Sequence, residues 1–213
     1  MEGKKQNMTT EKKINVIDLD GTLLRYNSLT KYTVHALRQW RYFIPILAFS
    51  LLRIFRVIPR DVFQKNLLIR MRKTPNYEYE MKKFSSLLSR DMNTSLIQFI
   101  LENTDTHTTN VLCTASPEDY VRFLASMLRW EYLCSTFDTT TRIFSHLYGE
   151  QKISALKQQY PPQTYIYHLA ISDSKSDSQL LYLFQKSYYT KQVQSFLRTR
   201  NTRTIPEGEK KQC

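Results

Sequence analysis

The chain has 213 residues, 41% of them hydrophobic, which supports a packed core and excludes an intrinsically disordered protein. Its net charge of +12 directs attention to polyanionic partners: nucleic acid, anionic lipid headgroups or phosphorylated substrates. Three widely spaced cysteines, Cys113, Cys134 and Cys213, fit neither a disulfide framework nor a zinc site and suit a reducing cytosol.

The N-terminal stretch MEGKKQNMTTEKK is polar and lacks an apolar signal region, so secretion is not expected. Residues 1–12 and 198–213 read as solvated tails. Residues 14–18 form a short apolar run that stops at DLDGT, the pattern of a buried strand feeding a turn. From about residue 27 to 104 the periodicity is mostly helical. Residues 110–114 (NVLCT) predict a second buried strand, ending at Ser116-Pro117-Glu118, which reads as a helix start with Pro in the first turn. That helix continues to about residue 129, and a third strand is expected at 132–135. A helix over 149–159, a strand over 165–171 and a helix over 178–185 complete the series. Strands alternating with helices after Thr104 predict an α/β fold with a doubly wound parallel sheet, whose ligands lie beyond the carboxyl ends of the strands.

Polar clusters fall at those ends. Asp18 and Asp20 flank one residue on a strand exit, so both carboxylates can face one pocket. One could act as nucleophile and the other as general acid and base in phosphoryl transfer, with Gly21 allowing a tight turn beside the phosphate. An Asp-Gly turn after a strand is the plainer alternative. Thr114 could hold phosphate oxygens with the backbone N–H groups that follow it, or simply cap a helix, as could Ser116. Lys152 could balance phosphoryl charge or be one solvated lysine among 31 basic residues. Asp173 and Asp177, four apart in SDSKSD, would share a face if that segment is helical. With Asp18 they could form a hard oxygen site for Mg²⁺, or they could merely cap a helix.

In this order, DLDGTL, the threonine of VLCTASP, the lysine of GEQKISAL and the acidic DSKSD resemble the four motifs of the haloacid dehalogenase-like hydrolase superfamily. The T-A-S-P form and the long helical insert between the first two motifs resemble its phosphoserine phosphatase-like branch. The resemblance implies a Rossmann-like core, residues 13–28 and 105–197, with a helical cap over 29–104. It further implies phosphatase activity through an aspartyl-phosphate. Asp18 would be nucleophile and metal ligand, and Asp20 acid/base and a second metal contact. Thr114 and Lys152 would bind the phosphoryl group, with Gly21, Thr22, Ala115 and Ser116 lining its site. Asp173 would ligate Mg²⁺, and Asp177 would support the metal or orient Lys152. Ser172 departs from the Gly often found before the acidic pair and is expected to crowd that turn.

Within the insert, residues 42–52 carry no charge, and Arg53, Arg56 and Arg60 follow at helical spacing. Between residues 36 and 73 there are nine basic residues (among them Arg38) against the single acidic Asp61. A helix over 45–58 would be about 21 Å long, short of a bilayer core of about 30 Å. It suits an interfacial helix with its arginine face at anionic headgroups, or a packed cap helix. The arrangement also resembles the bacterial phosphatidylglycerophosphatase C family, which implies a lipid phosphate substrate and a peripheral place on the inner, cytoplasmic face of a membrane. A soluble phosphatase for phosphoserine or a sugar phosphate, and a nucleic-acid binder on a degenerate hydrolase fold, are the alternatives. Nucleic acid is the less expected partner because every acidic catalytic position is filled. His35, His107, His146 and His168 form no evident ligand cluster, and Cys113 reads as a small buried hydrophobe.

Overall fold

The computed structural model describes residues 11–38 and 43–203. Trp40, Arg41 and Tyr42, which open the apolar-basic segment, lie outside the described residues, as does most of both tails. Six strands form one sheet: β1 (Lys12–Ile17), β2 (Thr108–Pro117), β3 (Glu131–Phe137), β4 (Phe144–Ser145), β5 (Tyr165–Ser172) and β6 (Lys186–Tyr189). Their spatial order is β4-β3-β2-β1-β5-β6, parallel except for the two-residue β4, which pairs antiparallel with β3. The fold is therefore the doubly wound α/β arrangement that the alternation of elements predicts.

β1 is central because it is buried on both faces. Ile14 and Val16 join one apolar cluster with Leu156 and Leu180, and Ile17 joins the other with Tyr120 and Leu124. Such two-sided burial needs the near-continuous apolar run seen in the sequence. Between β1 and β5 the register slips. Ile14 stands opposite Tyr167, Asn15 opposite Leu169, and His168 is skipped. The extra residue reverses the alternation of β5, so that Tyr167 faces one cluster and Leu169 the other.

Among the described residues five helices lie between β1 and β2: α1 (Ser28–Leu37), α2 (Phe43–Ile54), α3 (Arg60–Met71), α4 (Tyr77–Arg90) and α5 (Thr94–Glu102). They have no separate core. Tyr32, Leu68, Met81 and Phe84 belong to the same cluster as Ile17 and Leu112 of the sheet. After β2 come α6 (Glu118–Leu128), α7 (Glu150–Gln159), α8 (Ser178–Tyr182) and α9 (Thr190–Arg203).

Three expectations are corrected. First, no single helix carries Arg53, Arg56 and Arg60 on one face. α2 ends at Ile54, and Arg56 is left-handed at φ 57°. Val57 N–H bonds Leu52 O at 2.8 Å in the six-to-one closure that stops a helix. Pro59 then caps α3, which begins at Arg60. Second, the helix expected over 178–185 is only one turn long. Gln185 N–H bonds Tyr167 O at 2.9 Å, and the chain passes into the edge strand β6. Third, Ser116 does not open a helix. β2 runs on to Pro117, which is extended at φ −66° and ψ 142° and caps α6.

Candidate active site

Asp18 directly follows β1, and its N–H still bonds Ile171 O of β5 at 2.9 Å. The sheet thereby fixes the backbone from which the carboxylate projects. Only 8% of Asp18 is exposed. Its Oδ1 accepts Lys152 Nζ at 2.9 Å, and the same ammonium donates to Asp177 Oδ2 at 2.8 Å. Lys152 lies in the first turn of α7 and is itself buried, so a surface role is excluded for it. Burial pushes the Asp18 carboxyl up to about 7; the Lys152 charge opposes this, and Asp177 and Asp20 add to it. For Lys152, burial lowers the pKa, but Asp18, Cys113 and Asp177 together outweigh it and leave the ammonium strongly held.

The acidic motif is arranged by its serines. Ser172 Oγ donates to Asp177 Oδ2 at 2.7 Å and accepts Ser174 N–H at 3.1 Å. The departure at Ser172 thus organises the turn instead of crowding it. A 3-10 turn over Lys175–Asp177 buries Asp177. Asp173 remains exposed on the other side, against Gly21. Gly21 has φ +76°, and an ideal Cβ there would lie 2.0 Å from Asp173 Oδ2. The missing side chain therefore makes room for a carboxylate, a reason for glycine at this position that the turn alone does not supply.

Asp20 is held by both oxygens. Oδ1 accepts the N–H of Ser28, the first residue of α1, at 2.8 Å, and Oδ2 accepts Ser116 Oγ at 2.9 Å. Ser28 Oγ is 2.8 Å from both Ser116 Oγ and Tyr120 Oη, and all three residues are wholly buried. Ala115 and Ser116 are in position because β2 pairs irregularly with β3 between Thr114 and Pro117. Ser135 Oγ donates to Ala115 O at 2.8 Å. Thr114, also buried, accepts Ser116 N–H on Oγ1 at 3.2 Å. Thr22 is turned elsewhere, its hydroxyl 3.2 Å from that of Thr190. Ser28 and Tyr120 are absent from the sequence-based site, since neither lies in a motif. Ser28 is identified by its backbone bond to Asp20 and its hydroxyl contact with Ser116, and Tyr120 by its contact with Ser28, 92 residues away.

Among the described residues no three His, Cys, Asp or Glu side chains form a ready-made metal cage. Mg²⁺ does not require one, because it keeps several waters and takes one or two carboxylates plus phosphate oxygens. The donor set here fits such an ion. Asp18, Asp20, Asp173 and Asp177 interact electrostatically around one ammonium, and Asp177 Oδ1 is buried without a hydrogen-bond partner.

Residues 16–182 match the sequence profile of the haloacid dehalogenase-like hydrolases. The chain belongs to this family. No curated protein matches the hydrolase in sequence. Among solved structures, a protein of unknown function from Bordetella pertussis Tohama I has a TM-score of 0.66 at 13% identity, covering 90% of this chain and 97% of its own. A phosphoserine phosphohydrolase-like protein from Francisella tularensis follows at 0.52 and 16%, covering 87% and 92%. A cytosolic 5′-nucleotidase IIIB bound to cytidine gives 0.53 at 9%, covering 89% and 78%. At these identities the three share a fold with the hydrolase and nothing narrower.

Proposed function

We propose that the hydrolase is a Mg²⁺-dependent phosphomonoesterase that forms an aspartyl-phosphate on Asp18, and that its substrate is a membrane lipid phosphate such as phosphatidylglycerophosphate. The observation that carries the chemical part is the buried Lys152, shared between Asp18 and Asp177. A desolvated cation at a strand-end carboxylate is positioned to offset the charge that builds on a transferring phosphoryl group.

In the first half-reaction Asp18 attacks phosphorus in line, the bond to the leaving oxygen breaks, and Asp20 gives that oxygen a proton. In the second half-reaction Asp20 takes a proton from water as the water oxygen attacks phosphorus. The acyl-phosphate bond then breaks, returning the Asp18 carboxylate and releasing phosphate. Thr114 and Lys152 hold the phosphoryl oxygens throughout, with the N–H groups of residues 115 and 116. Asp18, Asp173 and the backbone of Asp20 would hold Mg²⁺, whose charge would lower the cost of gathering anions in the site. Asp177 would orient Lys152 through Oδ2, which is committed to Lys152 and Ser172, and would have its unpartnered Oδ1 left to support the metal.

The lipid part is supported by α2. Ile44, Leu47, Leu51, Leu52 and Phe55 recur at helical spacing and are 37–77% exposed, so this face presents hydrocarbon outward. No helix among the described residues is long and apolar enough to cross a membrane. An interfacial contact with anionic lipid is the reading we adopt. Arg56 would serve it from the turn after α2, while Arg53 lies on the opposite side of α2 from this face and Arg60 begins the next helix. The nucleic-acid alternative is weakened because Arg72 in the basic stretch is spent on Asp119.

The test is phosphate release with Mg²⁺ from phosphatidylglycerophosphate in mixed micelles, phosphatidic acid, phosphoserine and sugar phosphates. Asp18→Asn should abolish turnover and keep the fold; near wild-type turnover in that variant would overturn the assignment of the nucleophile. Preference for a soluble ester would retain the mechanism and remove the lipid substrate.

A further inference from the structure

Beside the acidic motif lies a cavity of about 910 Å³. Gly21 and Asp173 form the wall nearest the candidate active site, and Thr190 and Lys191, which open α9, form another. Arg25 and Lys175 also line it. Arg25, Lys175 and Lys191 are all exposed, and none has an ion-pair partner among the described residues. The buried Lys152, by contrast, is neutralised by two carboxylates, and Arg72 by Asp119. Here three uncompensated cations share one cavity with a single carboxylate, Asp173. The cavity is also bordered by the first turn of a 14-residue helix, whose leading N–H groups and dipole favour anions.

The geometry points to a second anion subsite, built from Arg25, Lys175 and Lys191, that receives a negatively charged group on the leaving-group side of the substrate. The substrate class is then narrower than phosphomonoester: it is a phosphomonoester whose alcohol carries a further phosphate, phosphodiester or carboxylate. This rests on the proposed function only for the place of the reacting phosphoryl group. Gly21 joins the two sites, since it is flanked by the Asp20 acid/base and lines the cavity. Cations lining one cavity raise the local concentration of such a ligand and select it over an uncharged analogue, the more so at low salt. A phosphodiester headgroup and a soluble second phosphate present the same chemistry to this cavity.

Two non-hydrolysable probes separate this inference from the catalytic one. Propane-1,3-diyl bisphosphonate and propylphosphonate are titrated calorimetrically into the wild type and into an Arg25→Gln/Lys191→Gln double variant, both positions being exposed and outside the core. The wild type should bind the bisphosphonate about tenfold more tightly, and the variant should reduce that ratio to about twofold with propylphosphonate affinity unchanged. Equal affinities in the wild type, an undiminished ratio in the variant, or no binding of the bisphosphonate would each overturn the subsite. In parallel, kcat/KM is measured for micellar phosphatidylglycerophosphate and for propane-1,3-diol bisphosphate. A fall in the variant for either supports the subsite and identifies where its second anion comes from; a fall for neither counts against it. Failure of the phosphatase reading shows separately, as absence of phosphate release by the wild type, while the binding ratio still decides the subsite.

Discussion

Gly21 and Asp173 compete for the same volume, and this gives the first prediction at the scale of single residues. Gly21→Ala places a methyl group where Asp173 Oδ2 now lies and forces alanine to φ +76°. The expected cost is about 1–3 kcal/mol in stability. Because Asp173 must move, turnover should fall by about a hundredfold. Thermal unfolding and phosphate release read the two effects, and wild-type turnover in the variant would show that Asp173 need not stand there. A second prediction concerns His35, which burial pulls below its ordinary value of 6.5, with Glu80 opposing and Arg38 and Lys83 modulating the shift. The folded chain therefore takes up this proton less readily than the unfolded chain. Stability should be complete above about pH 6.5 and decline as the pH falls through that range. His35→Leu should flatten the slope of unfolding free energy between about pH 7 and pH 5; an unchanged slope would remove His35 from the account. At this scale Asp18, Asp20, Thr114 and Lys152 are singled out by their motifs: the two aspartates follow the end of β1, Thr114 stands where β2 loses its regular pairing with β3, and Lys152 lies in a first helical turn. Ser28 and Tyr120 are not singled out, because nothing local marks a serine or tyrosine that acts through a contact distant in sequence.

Among the elements, α3 and α6 are joined by a salt bridge that periodicity could not foresee. Arg72, just after α3, donates through Nε at 2.7 Å and Nη2 at 2.9 Å to the Asp119 carboxylate, and through Nη1 at 2.9 Å to Phe137 O. Tyr77 Oη donates to the same carboxylate, whose side chain is fully buried. Arg72→Met strands that charge and should cost about 3–5 kcal/mol in urea unfolding, whereas Arg72→Met combined with Asp119→Leu should recover most of it. If the single variant costs less than about 1 kcal/mol, the pair is not what fastens the inserted helices to the sheet. Elements with a long apolar period were read correctly. β4, with two residues, and β6, with four, gave too short a pattern to separate from their surroundings. The arginine stripe failed for a different reason: spacing of three and four implies a common face only if the helix continues, and the left-handed Arg56 ends it.

For the whole molecule, the outward apolar face of α2 has a cost in water that a lipid surface would relieve. Full burial of an exposed leucine or phenylalanine gains about 1.5–3 kcal/mol; Phe55, 74% exposed, has most of that still to gain, and the leucines, 37–45% exposed, less than half. The hydrolase should float with vesicles rich in phosphatidylglycerol, and a Leu47→Ser/Leu51→Ser/Phe55→Ser variant should remain at the bottom of the gradient. A variant that floats like the wild type would relocate the contact, and a wild type that never floats would leave the face to another partner. The doubly wound architecture was legible from the alternation of strands and helices. The merging of inserted helices and sheet into one apolar cluster was not, because sequence periodicity says which face is apolar but not what covers it. The central place of β1 has a consequence for biosynthesis. Asp18 leaves the ribosome well before Lys152, which supplies the ammonium beside it, and before Ser172 and Asp177, which hold that ammonium from its other side. Until then β1 lacks its β5 neighbour, and its buried carboxylate has no counter-charge. A nascent chain must therefore wait, partly assembled and with an open strand edge, for β5 and the acidic motif that follows it. Premature termination anywhere before Asp177 should leave no weakly active fragment, only substrate for chaperones and proteases.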